Sequence, residues 1–308
     1  MADILVYSQK ADLALELQTA AITIANGKVV KTLMINQPYE HTELTSKGAN
    51  IYQIAQENIN LYDVGMVAEA IKLAAIQLDC DTILLSSDRR GRELAGRLAQ
   101  KMNAGCITDI SSLKLNGDII IGSRNALGGA VVAEQTIKTD IKVLAIAPKS
   151  FPQPEASMGG IQEINISTVP TGVRFINSQS KPEDTVDISE AEVLLVIGMG
   201  VEDQSDLISV KEIAETINGE IACSKPVATD KKWFGEDKII GISGKTCKPK
   251  LGILLGISGQ VQFWAGIRDA QTIVAINNDE NAMIMNMADY ALVADVKDVL
   301  PQLKKLLG

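Results

Sequence analysis

Short apolar runs alternate with amphipathic segments from the first residues of this chain, and that alternation leaves few architectures open. DILVYS has the length and branched content of a buried strand, LALELQTAAITIA carries apolar residues at helical spacing, and VVKTLMIN reads as the next strand. Strand, helix, strand in that order predicts a parallel sheet with helices on its faces. The pattern continues. DVGMVAEAIKLAAIQLD predicts a helix with Val64, Val67, Ile71 and Ala74 on one face; DTILLSS, RRGRELAGRLAQKMN and AGCITDI follow as strand, helix and strand. GDIIIGSRNALGGAVVAEQTI and KVLAIAPKSF supply further strands with a Gly-rich crossing between them.

The texture changes at Ser150. The stretch from there to Glu192 holds four of the nine prolines, and its two expected strands, QEINISTV and VRFINSQS, are separated by a turn. With 308 residues to distribute, the chain divides near Thr185 into an N-terminal α/β domain, 1–185, and a C-terminal α/β domain, 186–308. The second opens with the buried strand VLLVIGMG. The helix SDLISVKEIAETING follows, with Gly219 as its stop, and EIACS, KLGILLGIS, TIVAINND and YALVAD are further strands. GQVQFWAGI is the helix after KLGILLGIS. The expected fold class is therefore α/β, with two doubly wound parallel-sheet domains, the C-terminal one Rossmann-like.

Charge and composition remove several function classes. A formal net charge of −9 argues against a sequence-independent grip on nucleic acid, which needs a basic face to displace counterions. No apolar run approaches the ~20 residues that span a bilayer, and MADILVYSQK has neither a basic leader region nor a cleavable apolar segment, so a cytoplasmic protein is expected. Cys80, Cys106, Cys223 and Cys247 are scattered without metal-ligand spacing, and no metal site is expected. His41 is the only histidine, and HTELTSKG reads as a solvated loop, which makes histidine-based hydrolysis a poor fit.

Ligands of open parallel sheets bind beyond the carboxyl ends of the strands. In the C-terminal domain those ends carry Gly198-Met199-Gly200, Ser224-Lys225, Ser258-Gly259, Asn277-Asn278-Asp279 and Asp295. Ser258 reads as a helix N-cap with Gly259 beside it, an arrangement that offers free N–H groups and a helix dipole to a pyrophosphate. GISGKTCKPK has the composition of an anion loop or a surface turn but lacks Walker A spacing, and IGMG is half of a dinucleotide fingerprint without the third glycine. Of Phe263 and Trp264, adjacent on a helix, one at most is expected to face a ligand. In the first domain Arg89, Arg90, Arg92 and Arg97 crowd one helix, either as a solvated face with local carboxylate partners or as a docking edge.

On these residues the C-terminal domain resembles the flavin domain of the electron-transfer flavoprotein α-subunit. The matching blocks are ACSKPVATD, IGISGKTCKPKLGILLGISGQVQFWAGI and TIVAINNDENAMIMNMADYALVADVKDVLPQL, and SSDRRGRELAGRLAQKMNAG and RNALGGAVVAE extend the likeness into the first domain. The resemblance implies an electron carrier rather than an enzyme, with FAD as the redox cofactor. It implies an electron-transfer flavoprotein β-subunit as heterodimer partner, docked on the first domain. It also implies a flavin-dependent dehydrogenase of the acyl-CoA type as donor and a quinone reductase or other acceptor.

Carried onto this sequence, the resemblance places Met199, Ser224, Lys225, Ile240, Gly241, Ile242, Ser243, Ser258, Gly259, Gln260, Val261, Gln262, Phe263, Asn277, Asp295 and Val296 around FAD. Ser258 and the amides after it suit the pyrophosphate, Ser243 can offer a hydroxyl near the flavin ring, Gln262 suits ribityl or ring oxygens, and Asn277 and Asp295 suit hydroxyl and adenosine contacts. Three residues depart from the family: Met199 and Lys225 stand where arginine is usual, and Phe263 where histidine is usual. Fewer cations and donors around a reduced, anionic flavin imply a lower reduction potential or a less stable anionic semiquinone than in the usual member. Two other readings remain open: a heterodimer subunit without flavin, and an NAD-dependent oxidoreductase using IGMG.

Overall fold

The computed structural model describes residues 2–36, 41–56, 58–129, 131–168, 171–177 and 187–307 and divides into two compact units, Met1–Asn177 and Ser178–Gly308. The expected boundary residue Thr185 lies outside the described residues.

The first unit runs β1 (Asp3–Tyr7), α1 (Ala11–Ile24), β2 (Val30–Ile35), α2 (His41–Thr45), β3 (Asn50–Ile54), α3 (Val64–Gln77), β4 (Cys80–Ser86), α4 (Arg89–Met102), β5 (Gly105–Asn116), β6 (Ile119–Ala126), β7 (Val131–Thr136), β8 (Lys142–Ile146) and β9 (Gly160–Glu163). These strands form one sheet in the order β7-β6-β5-β8-β4-β1-β2-β3-β9. Strand periodicity sends alternate residues to opposite faces. Leu5 and Tyr7 of β1 meet Met66, Ile71, Leu94 and Leu98 of α3 and α4, while Ile4 and Val6 meet Leu17, Ala20 and Ile24 of α1. Both faces are covered, which is why β1, β4 and β8 read as continuous apolar runs.

Helix limits are set locally. The Asp63 carboxylate accepts from the Met66 N–H at 3.0 Å and the Asp88 carboxylate from the Gly91 N–H at 2.6 Å, capping α3 and α4. Asn103 ends α4 in the left-handed region, with φ of 50°. Asp63 also accepts from the Thr171 hydroxyl at 2.5 Å, and Phe175 stacks on Tyr62 at 4.4 Å, so residues 171–175 are pinned to the start of α3. Hydrogen bonds from Thr171 and Met66 outweigh the upward push of burial and hold the Asp63 carboxyl below its usual range.

Four expectations are corrected here. The sheet is mixed, because β6 pairs antiparallel with both β5 and β7; the Gly-rich stretch is the turn of a hairpin and not a crossover. HTELT forms a one-turn helix with Leu44 buried, since that leucine reaches the cluster of Leu15, Met34 and Ile51. Of the two expected later strands, only Gln162 and Glu163 pair among the described residues, within β9, parallel to β3 at the sheet edge. Residues 164–168 and 173–177 are irregular, and the remainder of those segments lies outside the described residues.

The second unit runs β10 (Val193–Ile197), α5 (Asp206–Thr216), β11 (Glu220–Cys223), α6 (Lys225–Thr229), β12 (Leu251–Leu255), α7 (Val261–Trp264), β13 (Ile273–Asn277), α8 (Met283–Met287), β14 (Tyr290–Val293) and α9 (Val296–Leu307). All five strands are parallel, in the order β11-β10-β12-β13-β14. Leu195, Ile197 and Leu255 face α5 and α9, and Leu194, Val196 and Leu254 face the opposite layer with Ile240, Phe263 and Ile267. The left-handed residue that ends α5 is Asn218, not Gly219; a Cβ at Gly219 would lie 3.1 Å from the Val193 side chain, a tight contact. Among the described residues, no helix is long and apolar enough to cross a membrane. The four cysteines are free thiols; burial pushes those of Cys80 and Cys223 up to about 12.

Candidate functional site

The sheet of the second unit reverses direction at β10. The connection from β10 leads outward to β11, whereas β12, β13 and β14 extend on its other side, so the crevice beyond β10 and β12 is the topological switch point where ligands of such sheets bind. Two loops meet there with backbone against backbone. The Gly200 N–H donates to the Gly256 carbonyl at 3.0 Å, and the Gly198 N–H to the Leu255 carbonyl at 2.8 Å. A Cβ at Gly198 would stand 2.1 Å from the Gly256 oxygen. The glycines of IGMG therefore serve this close approach rather than a dinucleotide turn, which weakens the NAD reading.

Beyond β12 the chain passes through Ile257 to Ser258 and Gly259. Gly259 takes φ of +83° and lies so close to α8 that a Cβ would be 2.4 Å from the Ile284 nitrogen, whose N–H donates to the Ser258 carbonyl at 3.2 Å. Ser258 is thus not the cap of the following helix. The positive-φ turn at Gly259 intervenes, and α7 starts after Gln260 and lasts four residues. Such a helix contributes little dipole. What the stretch does offer is a run of main-chain donors. Among the described residues, the N–H groups of Ser258, Gly259, Gln260, Val261 and Gln262 find no acceptor in the chain, and neither do the hydroxyl of Ser258 or the side-chain amides of Gln260 and Gln262. Consecutive unspent N–H groups of this kind suit an anion.

Hydrogen bonds hold the neighbouring expected residues to this run. The Ile242 N–H donates to the Gln262 carbonyl at 2.9 Å, and the Ile240 N–H to the Cys223 carbonyl at 3.0 Å, next to Ser224. Gly241, with φ of +139°, permits the first contact, since a Cβ there would be 2.7 Å from the Gln262 oxygen. Ser224 caps no helix amide with its side chain, and Ser243 is exposed, so both hydroxyls are free for a ligand. Lys225 is exposed at the start of α6. Met199, Ile242 and Val261, 45%, 64% and 54% exposed, add apolar surface to the same loops.

Other expected residues act from behind. Asn277 is buried; its Nδ2 donates to the Ile257 carbonyl at 2.7 Å and its Oδ1 accepts from the Asp279 N–H at 3.0 Å, so its side chain shapes the Ser258 loop. Ile240, Phe263 and Val296 are core residues, and Trp264 packs partly buried against the same cluster as Phe263. Asp295 lies at the far edge, its carboxylate accepting from the Lys297 N–H at 2.9 Å. The lysines of GISGKTCKPK do not make a free basic clamp: Lys245 pairs with Asp187 at 2.7 Å and Lys250 with Glu192 at 2.8 Å.

One residue of this site carries no local sequence signal. The Lys231 ammonium donates to the carbonyl of Val201 and reaches those of Met199 at 3.4 Å and Glu202 at 3.5 Å, while standing 4.2 Å from the centroid of the Trp233 ring. The chain separation is 29 to 32 residues, which hides such a contact from any reading of neighbours. Unspent amides, free hydroxyls and exposed apolar side chains on one crevice fit a ligand with a phosphate portion and a flat apolar ring, as FAD has.

Comparison with known proteins gives the same direction. Residues 187–268 match the Electron transfer flavoprotein FAD-binding domain, and residues 8–171 match the Electron transfer flavoprotein domain. The chain is similar to Protein FixB of Escherichia coli, at 30% identity over 98% of this chain and 97% of that one, and to Protein FixB of Salmonella typhimurium, at 32% identity over 73% of each. Among solved structures, the crystal structure of MurG from Acinetobacter baumannii covers 100% of this chain and 91% of its own at 10% identity, with a TM-score of 0.34, a likeness that carries no argument. With both of its units matched in order and a relative aligned along nearly its whole length, the chain belongs to the electron-transfer flavoprotein α-subunit family of electron carriers.

Proposed function

We propose that this chain binds FAD in the crevice beyond β10 and β12, pairs with an electron-transfer flavoprotein β-subunit, and carries electrons from a flavin-dependent dehydrogenase, of the acyl-CoA type, to a quinone reductase or another acceptor. The observation that carries the reading is the run of five unpartnered N–H groups from Ser258 to Gln262 at the carboxyl edge of a doubly wound sheet. The bound flavin would supply the redox chemistry; the protein supplies position and electrostatics.

Each residue then has a task set by its type. The amides of Ser258 to Gln262 seat the pyrophosphate, assisted by the hydroxyls of Ser224 and Ser258. Ile242, Val261 and Met199 flank the ring and keep water from it. Ser243 and Gln262 donate to ring and chain oxygens. Asn277 holds the Ser258 loop through Ile257, and Lys225 adds an exposed positive charge at the rim.

A visible spectrum of the chain purified with its β-subunit tests this directly. About one FAD per α chain, bleached by dithionite without air, is the expected result. A stable but colourless heterodimer would replace it with the reading of a flavin-free binding subunit, for which the replacements at Met199, Lys225 and Phe263 would be the cause.

A further inference from the structure

The loop after β10 is gripped from two sides, and one grip brings to the crevice a positive charge that the loop itself lacks. The backbone carbonyls of Met199, Val201 and Glu202 converge on the Lys231 ammonium, whose three N–H groups match three acceptors. Lys231 is itself fixed. The N–H groups of Asp230 and Lys231 both donate to the Pro226 carbonyl, that of Trp233 donates to the Val227 carbonyl, and the Trp233 ring packs against the core beneath the ammonium. A cation held by converging carbonyls and an aromatic face is pre-organised in a way that an exposed lysine is not. On the other side, Lys297 pairs with the carboxylates of Glu202 and Asp203 at 3.4 and 3.2 Å.

We infer that Lys231 is a positioning residue of the cofactor crevice and its fixed positive charge, supplied from the turn after α6 to a loop in which Met199 is neutral and the charged side chains, Glu202 and Asp203, are acidic. The inference rests on the proposed flavin role of this crevice. Position is transmitted through the backbone: Lys231 holds residues 199–202, the Gly200 N–H bonds the Gly256 carbonyl, and the unpartnered amides begin two residues beyond, at Ser258. Charge acts directly, because a cation at the end of β10 favours the more negative, reduced form of a flavin over the oxidised form.

The test compares wild type, Lys231→Met, Lys231→Gln and Lys231→Arg, each purified with the β-subunit. Three quantities are read: FAD affinity, the midpoint potential by spectroelectrochemistry, and hydrogen exchange of the amides of residues 199–203. Lys231→Met and Lys231→Gln are expected to bind FAD about tenfold more weakly, roughly the worth of one charge-assisted hydrogen bond. They should also show a lower potential and faster exchange, and Lys231→Arg should restore most of all three. Should Lys231→Met fail to fold, Lys231→Gln keeps a donor and reads the charge alone. A yellow wild type whose neutral variants match it in affinity and potential overturns the inference and leaves the flavin reading standing. A colourless wild type overturns the flavin reading, and the inference with it.

Discussion

At single residues, the crevice is shaped more by what is missing from a side chain than by what is present. Gly259 combines φ of +83° with a contact that leaves no room for a Cβ beside Ile284. Gly259→Ala should therefore cost about 1–3 kcal/mol through strain and displacement of α8, read as a lower midpoint in urea unfolding at unchanged slope. An unchanged midpoint would mean that the loop has an alternative path of equal energy. The sequence pointed to Ser258 and Gly259 but assigned them the wrong geometry. A serine before a helical run looks like a cap, and the contact that forbids it comes from Ile284, 25 residues on in the chain. Lys231 was missed for the same reason, since nothing in DKKWF announces which carbonyls its ammonium will find.

At the level of elements, the loop between α6 and β12 is tied at both ends. Its backbone closes on itself through the Lys245 N–H and the Ile239 carbonyl at 2.8 Å, and the Lys245 ammonium reaches Asp187 at the start of the unit. Burial pushes the Asp187 carboxyl upward, but hydrogen bonds from Lys245 and Ser189 outweigh it and hold the group at about 2. A carboxyl depressed on folding stabilises above its ordinary value of 3.8 and loses that contribution as pH falls through about 2. The unfolding midpoint of the protein should consequently fall across that acid window, and Asp187→Asn should flatten that part of the profile; half-exposure keeps the effect small. Equal slopes for both proteins would dismiss the tether. Regular elements were legible because their periodicity is local: α1, α3 and α4 lie where their apolar spacing put them. The β5-β6-β7 meander was not, because GSRNALGGAVV can read as a crossover as readily as a hairpin until the antiparallel partners of Ile121 and Arg124 are known.

For the molecule as a whole, two α/β units share one chain, and the run of main-chain donors from Ser258 to Gln262 belongs to the second. The resemblance assigns the first to a partner. Its α4 helix spends Arg92 on Asp109 at 3.5 Å and Arg97 on Glu93 at 2.9 Å, whereas Arg89 is exposed at the head of the helix. If that edge docks the β-subunit, the double change Arg89→Glu and Arg92→Glu should weaken the heterodimer at least tenfold in sedimentation or titration calorimetry, most strongly at low salt. Undiminished affinity would move the interface elsewhere on the unit.

The donors from Ser258 to Gln262 belong to the main chain, and this separates what descent can alter from what it cannot. A mutation replaces a side chain, but apart from proline no substitution deletes an N–H. If these donors seat an anion, that seat is inherited with the path of the backbone, guarded by glycines that resist replacement on steric grounds. Lineages are then free to exchange Met199, Lys225 or Phe263, retuning the electron-carrying trade of the fold without first having to reinvent its grip.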